Sequence, residues 1–163
     1  MRLRFVAVAS FLIAAAAVAG CSRDRVAGLG TPQELTLYSL DGRDFEPGKG
    51  PKSAEQFHGY PVLGKVEVED ADRRKAIVAA LKAGVARSDG FMAKCFWPRH
   101  GIRTVEDGNI VDFVICFECL QLHTHAGSST KTVAVSREPQ AVLNDALTAA
   151  GVPLAPGAAG EKK

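Results

Sequence analysis

Three thiols and three imidazoles fall within residues 95–125, in the stretches CFWPRHGIR (95–103) and VDFVICFECLQLHTH (111–125). Thiolates exchange disulfides and bind soft metals, and imidazoles ligate borderline ones. Cys116-Phe-Glu-Cys119 has the spacing of a zinc knuckle, and Cys95, His100, His123 and His125 could complete tetrahedral coordination of zinc or another divalent metal. A knuckle is a turn, however, and the residues around this one read as strand. In a straight strand, residues three apart point to opposite faces with Cα atoms about 10 Å apart. Such a pair neither shares a metal nor forms a disulfide, which needs Cα atoms within about 7 Å. A bulge at Phe117-Glu118 would rescue either chemistry. A third reading makes the strand cysteines core residues with inert thiols, since free cysteine is among the most buried residue types.

The polar residues of the same region admit two readings as well. Arg99, His100 and Arg103, in a proline-containing loop, could hold an anion. The arginines could equally pair with Glu106, Asp107, Asp112 or Glu118, and the near-cancelling local charges favour that pairing. His123 and His125 share one side of the strand at its polar end and read as an exposed pair, and His58 reads as a turn residue. A thioredoxin-type redox site would need its CxxC at a helix N-terminus, which this sequence does not provide. No GxSxG, HExxH, P-loop or GxGxxG motif occurs, and catalytic residues are not assigned.

The elements that must position these residues are legible in the periodicity. ELTLYSLDG (34–42) alternates and ends in a turn, and PVLGKVEVE (61–69) alternates again. Residues 43–60, rich in Gly, Pro and charge, read as a long loop. DADRRKAIVAALKAGVAR (70–87) switches to helical period with Ile77, Val78, Leu81, Gly84 and Val85 on one stripe and Asp70 or Asp72 as N-cap. GIRTVED, the turn Gly108-Asn109 and an apolar strand from Ile110 to His123 follow. After a turn at Ala126–Ser129, TKTVAVS is a last strand. Ser136 is read as the cap of a second helix, with Val142, Leu143, Ala146 and Leu147 inward and Gly151 and Pro153 as its stop. The pattern predicts one small α+β domain, a mostly antiparallel sheet with two helices on one face, spanning 33–151.

The ends of the chain point to the cell envelope. MRLRFVAVASFLIAAAAVAG is a basic segment followed by an apolar run, the form of an export signal. It ends in Val18-Ala19-Gly20-Cys21, which resembles the lipobox of bacterial lipoproteins. The resemblance implies cleavage after residue 20, lipidation of Cys21 and attachment to the membrane through acyl chains. Ser22 after the cysteine implies the outer membrane, with the domain facing the periplasm. Residues 21–32 then read as a lipidated tether and 152–163 as a flexible tail.

Export changes the reading of charge and cysteines alike. The leader holds two of the 20 Lys and Arg and none of the 18 Asp and Glu, so the remaining chain carries 18 of each. That neutrality argues against nucleic acid as a partner. Without Cys21 the cysteine count is odd, in a compartment that favours disulfides. A bridge from Cys95 to one of the strand cysteines therefore competes with the metal and core readings. The pairing of CFxPRHGIR with ICFEC also resembles a motif pair of small bacterial lipoproteins and implies that loop and strand form one constellation, without assigning an activity. The expectation is a membrane-anchored, non-enzymatic binding or accessory module with an unspecified protein or small-molecule partner. The alternative is a metal-binding or thiol-redox protein using Cys95, Cys116, Cys119 and histidines.

Overall fold

The computed structural model describes residues 29–43 and 55–157, together with Val26; the leader and Cys21 lie outside the described residues. Seven strands form one antiparallel sheet: β1 (Glu34–Leu40), β2 (Gln56–Phe57), β3 (Tyr60–Glu67), β4 (His100–Glu106), β5 (Asn109–Cys116), β6 (Gln121–Ala126) and β7 (Ser129–Ala134). Their spatial order is β2-β3-β1-β4-β5-β6-β7. Two helices complete the described part, α1 (Ala71–Ala86) between β3 and β4 and α2 (Pro139–Ala149) after β7. The domain is sheet-dominated, broadly the α+β arrangement the periodicity predicts. No described helix is long and apolar enough to cross a membrane.

Period and register together decide what each face of the sheet carries. Leu37 pairs with Ile102, and Ile102 with Phe113, so alternate residues of β1, β4 and β5 stand on one side. That side supplies Leu35, Leu37, Ile102, Phe113, Ile115 and Leu122 to a core with Ile77, Leu81, Leu143 and Leu147 of the helices. The buried residues of α1 are Ile77, Val78, Leu81, Gly84 and Val85, the stripe its sequence shows. Asp70 caps it, accepting a hydrogen bond from the Arg73 N–H at 2.7 Å. On the other side a smaller cluster gathers Tyr38, Leu40, Phe57, Tyr60 and Val114, with Phe96 packed against it.

Four expectations are corrected. The apolar run from Ile110 to His123 is two strands, broken by a turn at 117–120 where Leu120 takes a positive φ of 54°. Part of the expected loop 43–60 forms the hairpin of β2 and β3, with His58 and Gly59 at positive φ, the geometry that matches strand twist. The turn after β4 is Asp107-Gly108, one residue earlier than the sequence suggests, both at positive φ. Finally, α2 starts at Pro139 rather than after Ser136, no side-chain cap bond is made, and Val142 is exposed at 36%.

The packed unit also reaches beyond 33–151. Val26 and Leu29 are buried in the main core, Val152 and Leu154 pack against it, and Ala155 is buried. These residues are apolar islands among small and polar neighbours, too short to show a period.

The helices meet closely at Gly84. A Cβ there would lie 2.4 Å from Pro139 Cγ and 2.9 Å from its Cδ, atoms of a ring that cannot swing away. Replacing a helical glycine with alanine ordinarily stabilises by about 1 kcal/mol. Here the overpacking reverses the sign, and Gly84→Ala should destabilise by about 1–3 kcal/mol in urea denaturation. A gain in stability would show that the two helices separate freely at this point.

Candidate functional site

The turn at 117–120 brings the sulfurs together. It carries β5 directly into β6, with Cys116 paired to Gln121, and Cys116 and Cys119 form a disulfide with Cα atoms 5.3 Å apart. The Cys119 N–H donates to Cys116 Sγ at 3.1 Å, tying the turn to its own bridge. The strand expectation for this pair is thereby overturned, and its physical cause is simple. Phe117-Glu118-Cys119-Leu120 contains no Gly, Asn or Pro, so nothing in its residue types announces a turn. Burial of Phe117 and the disulfide hold Leu120 in the left-handed region instead.

Cys95 lies on the loop from α1 to β4 and is a free, partly exposed thiol. It is not bridged, contrary to the expected Cys95 disulfide, but it touches the bridge: its Sγ lies 3.2 Å from Cys119 Sγ. Three hydrogen bonds to its backbone, two of them from the Gln121 side chain, fix the loop there. Ala93 N–H donates to Cys119 O at 3.0 Å, and the Gln121 amide donates to the carbonyls of Ala93 and Cys95. The Trp97 N–H points at Cys119 Sγ from 3.5 Å. Cys116 and Cys119 themselves are fully buried. With two sulfurs bonded to each other, no group of three or more His, Cys, Asp or Glu among the described residues is arranged to hold a metal.

Arg99, His100 and Arg103 are not brought together. The Arg99 side chain, 10% exposed, pairs with Glu118 at 3.2 Å and donates to the Pro156 carbonyl. Arg103 sits on the opposite side of β4 from His100 and binds Asp112 through two hydrogen bonds of 2.8 Å. Both arginines thus have carboxylate partners, and a shared anion site between the three is not formed. His100 is buried on the helix side, where its Nε2–H donates to Asn144 Oδ1 at 2.8 Å. Its Nδ1 has no partner among the described residues.

The Arg103–Asp112 pair is one of the pairings the sequence favours, but the constellation around it was not read from the sequence. Arg103 pairs with Asp112 across β4 and β5, Asp112 with His125, and His125 with Thr130, so four polar residues form one cross-strand row. His58 joins from the β2–β3 turn, its Nε2 2.7 Å from Asp112 Oδ2. Its ring stacks on His125 with centroids 3.8 Å apart, and His123 stacks on Phe96 at 3.7 Å. Burial is the largest influence on the Asp112 carboxyl and works to raise its pKa. The hydrogen bonds from Arg103 and His58 outweigh it and hold the carboxyl below its usual range. Desolvation lowers His123 and His125, and His58 lowers His125 further. The sequence signals for this row were the near-cancelling charges and Asp112 itself, an acid inside an apolar strand, which requires a partner; nothing pointed to His58 or His125 as members.

No family model, curated protein or solved structure matches the chain.

The buried histidine makes stability depend on pH. Desolvation is the main cause that lowers His100 to about 4, with Arg99 acting the same way and the Asn144 bond opposing them. Between that value and the ordinary 6.5, the unfolded chain binds a proton that the folded chain refuses. Stability from this group is therefore full above pH 6.5 and is lost as acid is added toward pH 4, by roughly 3 kcal/mol. His123 and His125, lowered too, add to the same slope. Asp112 acts with the familiar carboxylate sign in a lower window, its stabilisation lost as pH falls below 3.8 and through its depressed folded value. Urea titrations at pH 7 and pH 5 should show the loss, and His100→Gln should remove most of it; an unchanged slope would show that His100 is not buried neutral.

Proposed function

We propose that this chain is a lipid-anchored envelope protein whose domain is a thiol–disulfide exchange module built on Cys95, Cys116 and Cys119. The single observation that carries the reading is the 3.2 Å contact between a free thiol and one sulfur of a disulfide. Deprotonated Cys95 attacks Cys119 Sγ; the Cys95–Cys119 bond forms, the Cys116–Cys119 bond breaks, and Cys116 leaves as a thiolate that takes up the proton. This step is an isomerisation with no net oxidation.

Fully reduced, the same three thiols reduce a disulfide of a partner. Cys95, the partly exposed member, attacks one partner sulfur and releases the other as a thiolate. Cys119 then attacks Cys95 Sγ and frees the partner's second thiolate, and Cys116 attacks Cys119 Sγ and restores the Cys95 thiol. The partner gains two electrons, the protein ends with its buried bridge, and a dithiol reductant must reset it. The anchor at Cys21, the outer membrane and the periplasm-facing position belong to this proposal and rest on the leader alone. A second reading, a binding module in which the bridge only closes the hairpin, draws on the complete burial of Cys116 and Cys119.

Two variants separate the readings in the full chain carrying Cys21→Ser. In Cys116→Ser, a Cys95–Cys119 disulfide should form in air, leaving no cysteine to alkylate in denaturant; two alkylated cysteines would mean that the sulfurs do not meet. Reduced protein should reduce oxidised glutathione, and Cys95→Ser should slow it by about tenfold or more, since entry then depends on buried thiols. Equal rates would leave the structural reading.

A further inference from the structure

We infer that, once the Cys116–Cys119 bond is reduced, the three sulfurs form a trigonal thiolate site for a single soft cation of the Cu(I) class. The inference rests on the exchange reading only in requiring that the bond be reducible by a dithiol. Two of its sulfurs are bonded and the third is 3.2 Å from one of them. Metal–thiolate bonds of about 2.3 Å place three sulfurs around one ion about 4 Å apart. The Cys95–Cys119 contact need widen by less than about 1 Å to reach that spacing, and reduction of the bridge frees Cys116 and Cys119 to separate to it.

The backbone already answers the negative charge that three thiolates would bring. Cys119 N–H faces Cys116 Sγ at 3.1 Å, and Trp97 N–H faces Cys119 Sγ at 3.5 Å. The Arg137 guanidinium holds the same turn through the Phe117 carbonyl, while that of Arg99 is already paired with the Glu118 carboxylate. Hydrogen bonds to sulfur and nearby cations favour the thiolate over the thiol.

The donor set selects the ion. A structural zinc site is closed by four ligands. The imidazoles considered as a fourth ligand have other neighbours: His123 stacks on Phe96, His125 stacks on His58 and meets Thr130, and His100 is bonded to Asn144 on the helix side of the sheet. Three sulfurs, two of them fully buried, suit a thiophilic monovalent ion that tolerates low coordination and is shielded from water. Binding releases the thiol protons, and oxidation of Cys116 and Cys119 removes two donors together. Thiol redox state then decides whether the ion is held.

Cu(I) itself is the probe, titrated anaerobically into the full chain carrying Cys21→Ser against a chromophoric Cu(I) chelator. Reduced protein should bind one Cu(I) per chain, and the air-oxidised protein should lose that site. Cys95→Ser should weaken it by at least the roughly 10–100-fold that losing an outer-shell partner costs, with circular dichroism unchanged. Equal affinity of the reduced protein and of protein shown by alkylation to carry the disulfide, or of Cys95→Ser and the parent, would overturn the inference. Alkylation of the oxidised sample keeps the two claims apart: a disulfide formed in air, with no copper bound by the reduced protein, sinks only the metal site. Copper bound with no disulfide formed sinks the exchange reading and leaves the site.

Discussion

The disulfide that closes the turn at 117–120 also sets the register of β5 on β6, because Cys116 pairs with Gln121 directly across it. Strand side chains alternate with period two, so a slip of one residue would exchange the two faces of the sheet. Phe113 and Ile115 would leave the helices and Asp112 would enter the main core. The register that the turn holds is therefore the condition for both the apolar core and the polar row. It is also what presents Cys119 to the loop bearing Cys95. Structure and chemistry depend on the same two sulfurs, and the site cannot be altered without cost to the hairpin.

The face away from the helices is organised around one carboxylate. Asp112 is almost fully buried, and burying a charge is costly unless it is paired. Arg103 supplies a bidentate partner and His58 a further hydrogen bond. The Arg103 guanidinium also lies 5.6 Å from the centre of the Phe57 ring, which stacks on Tyr38. Phe57 reaches that position because Gly101 has no side chain: a Cβ there would come within 2.7 Å of the ring. A short hairpin, β2 with β3, is fixed over the sheet by these contacts and encloses what would otherwise be an open polar face.

The sequence was most informative where periods are long. The stripe of α1, the strand around Leu37 and the expectation of a sheet with two helices follow from apolar spacing, and the structure places them accordingly. It was least informative where a tertiary bond overrides local preference. Cys116 to Leu122 is apolar enough to continue a strand, and only the disulfide with the positive φ at Leu120 reveals the reversal. The three-residue group Arg99, His100 and Arg103 failed as one site for a related reason. Strand alternation sends His100 and the Arg103 side chain to opposite faces, and Arg99 turns to Glu118. The convergence of Cys95 with the hairpin was readable only as a tendency, since no spacing within the sequence sets the path of the loop from α1 to β4.

The most direct measurement is the alkylation state of the full chain carrying Cys21→Ser, denatured without reductant and mapped by peptide mass. The account predicts one alkyl group per chain, on Cys95, with Cys116 and Cys119 bridged in the native state. When alkylation follows incubation at alkaline pH, part of the label should move to Cys116 as the Cys95–Cys119 bond forms. Three alkyl groups per chain, or a label that never leaves Cys95 at any pH, would contradict it.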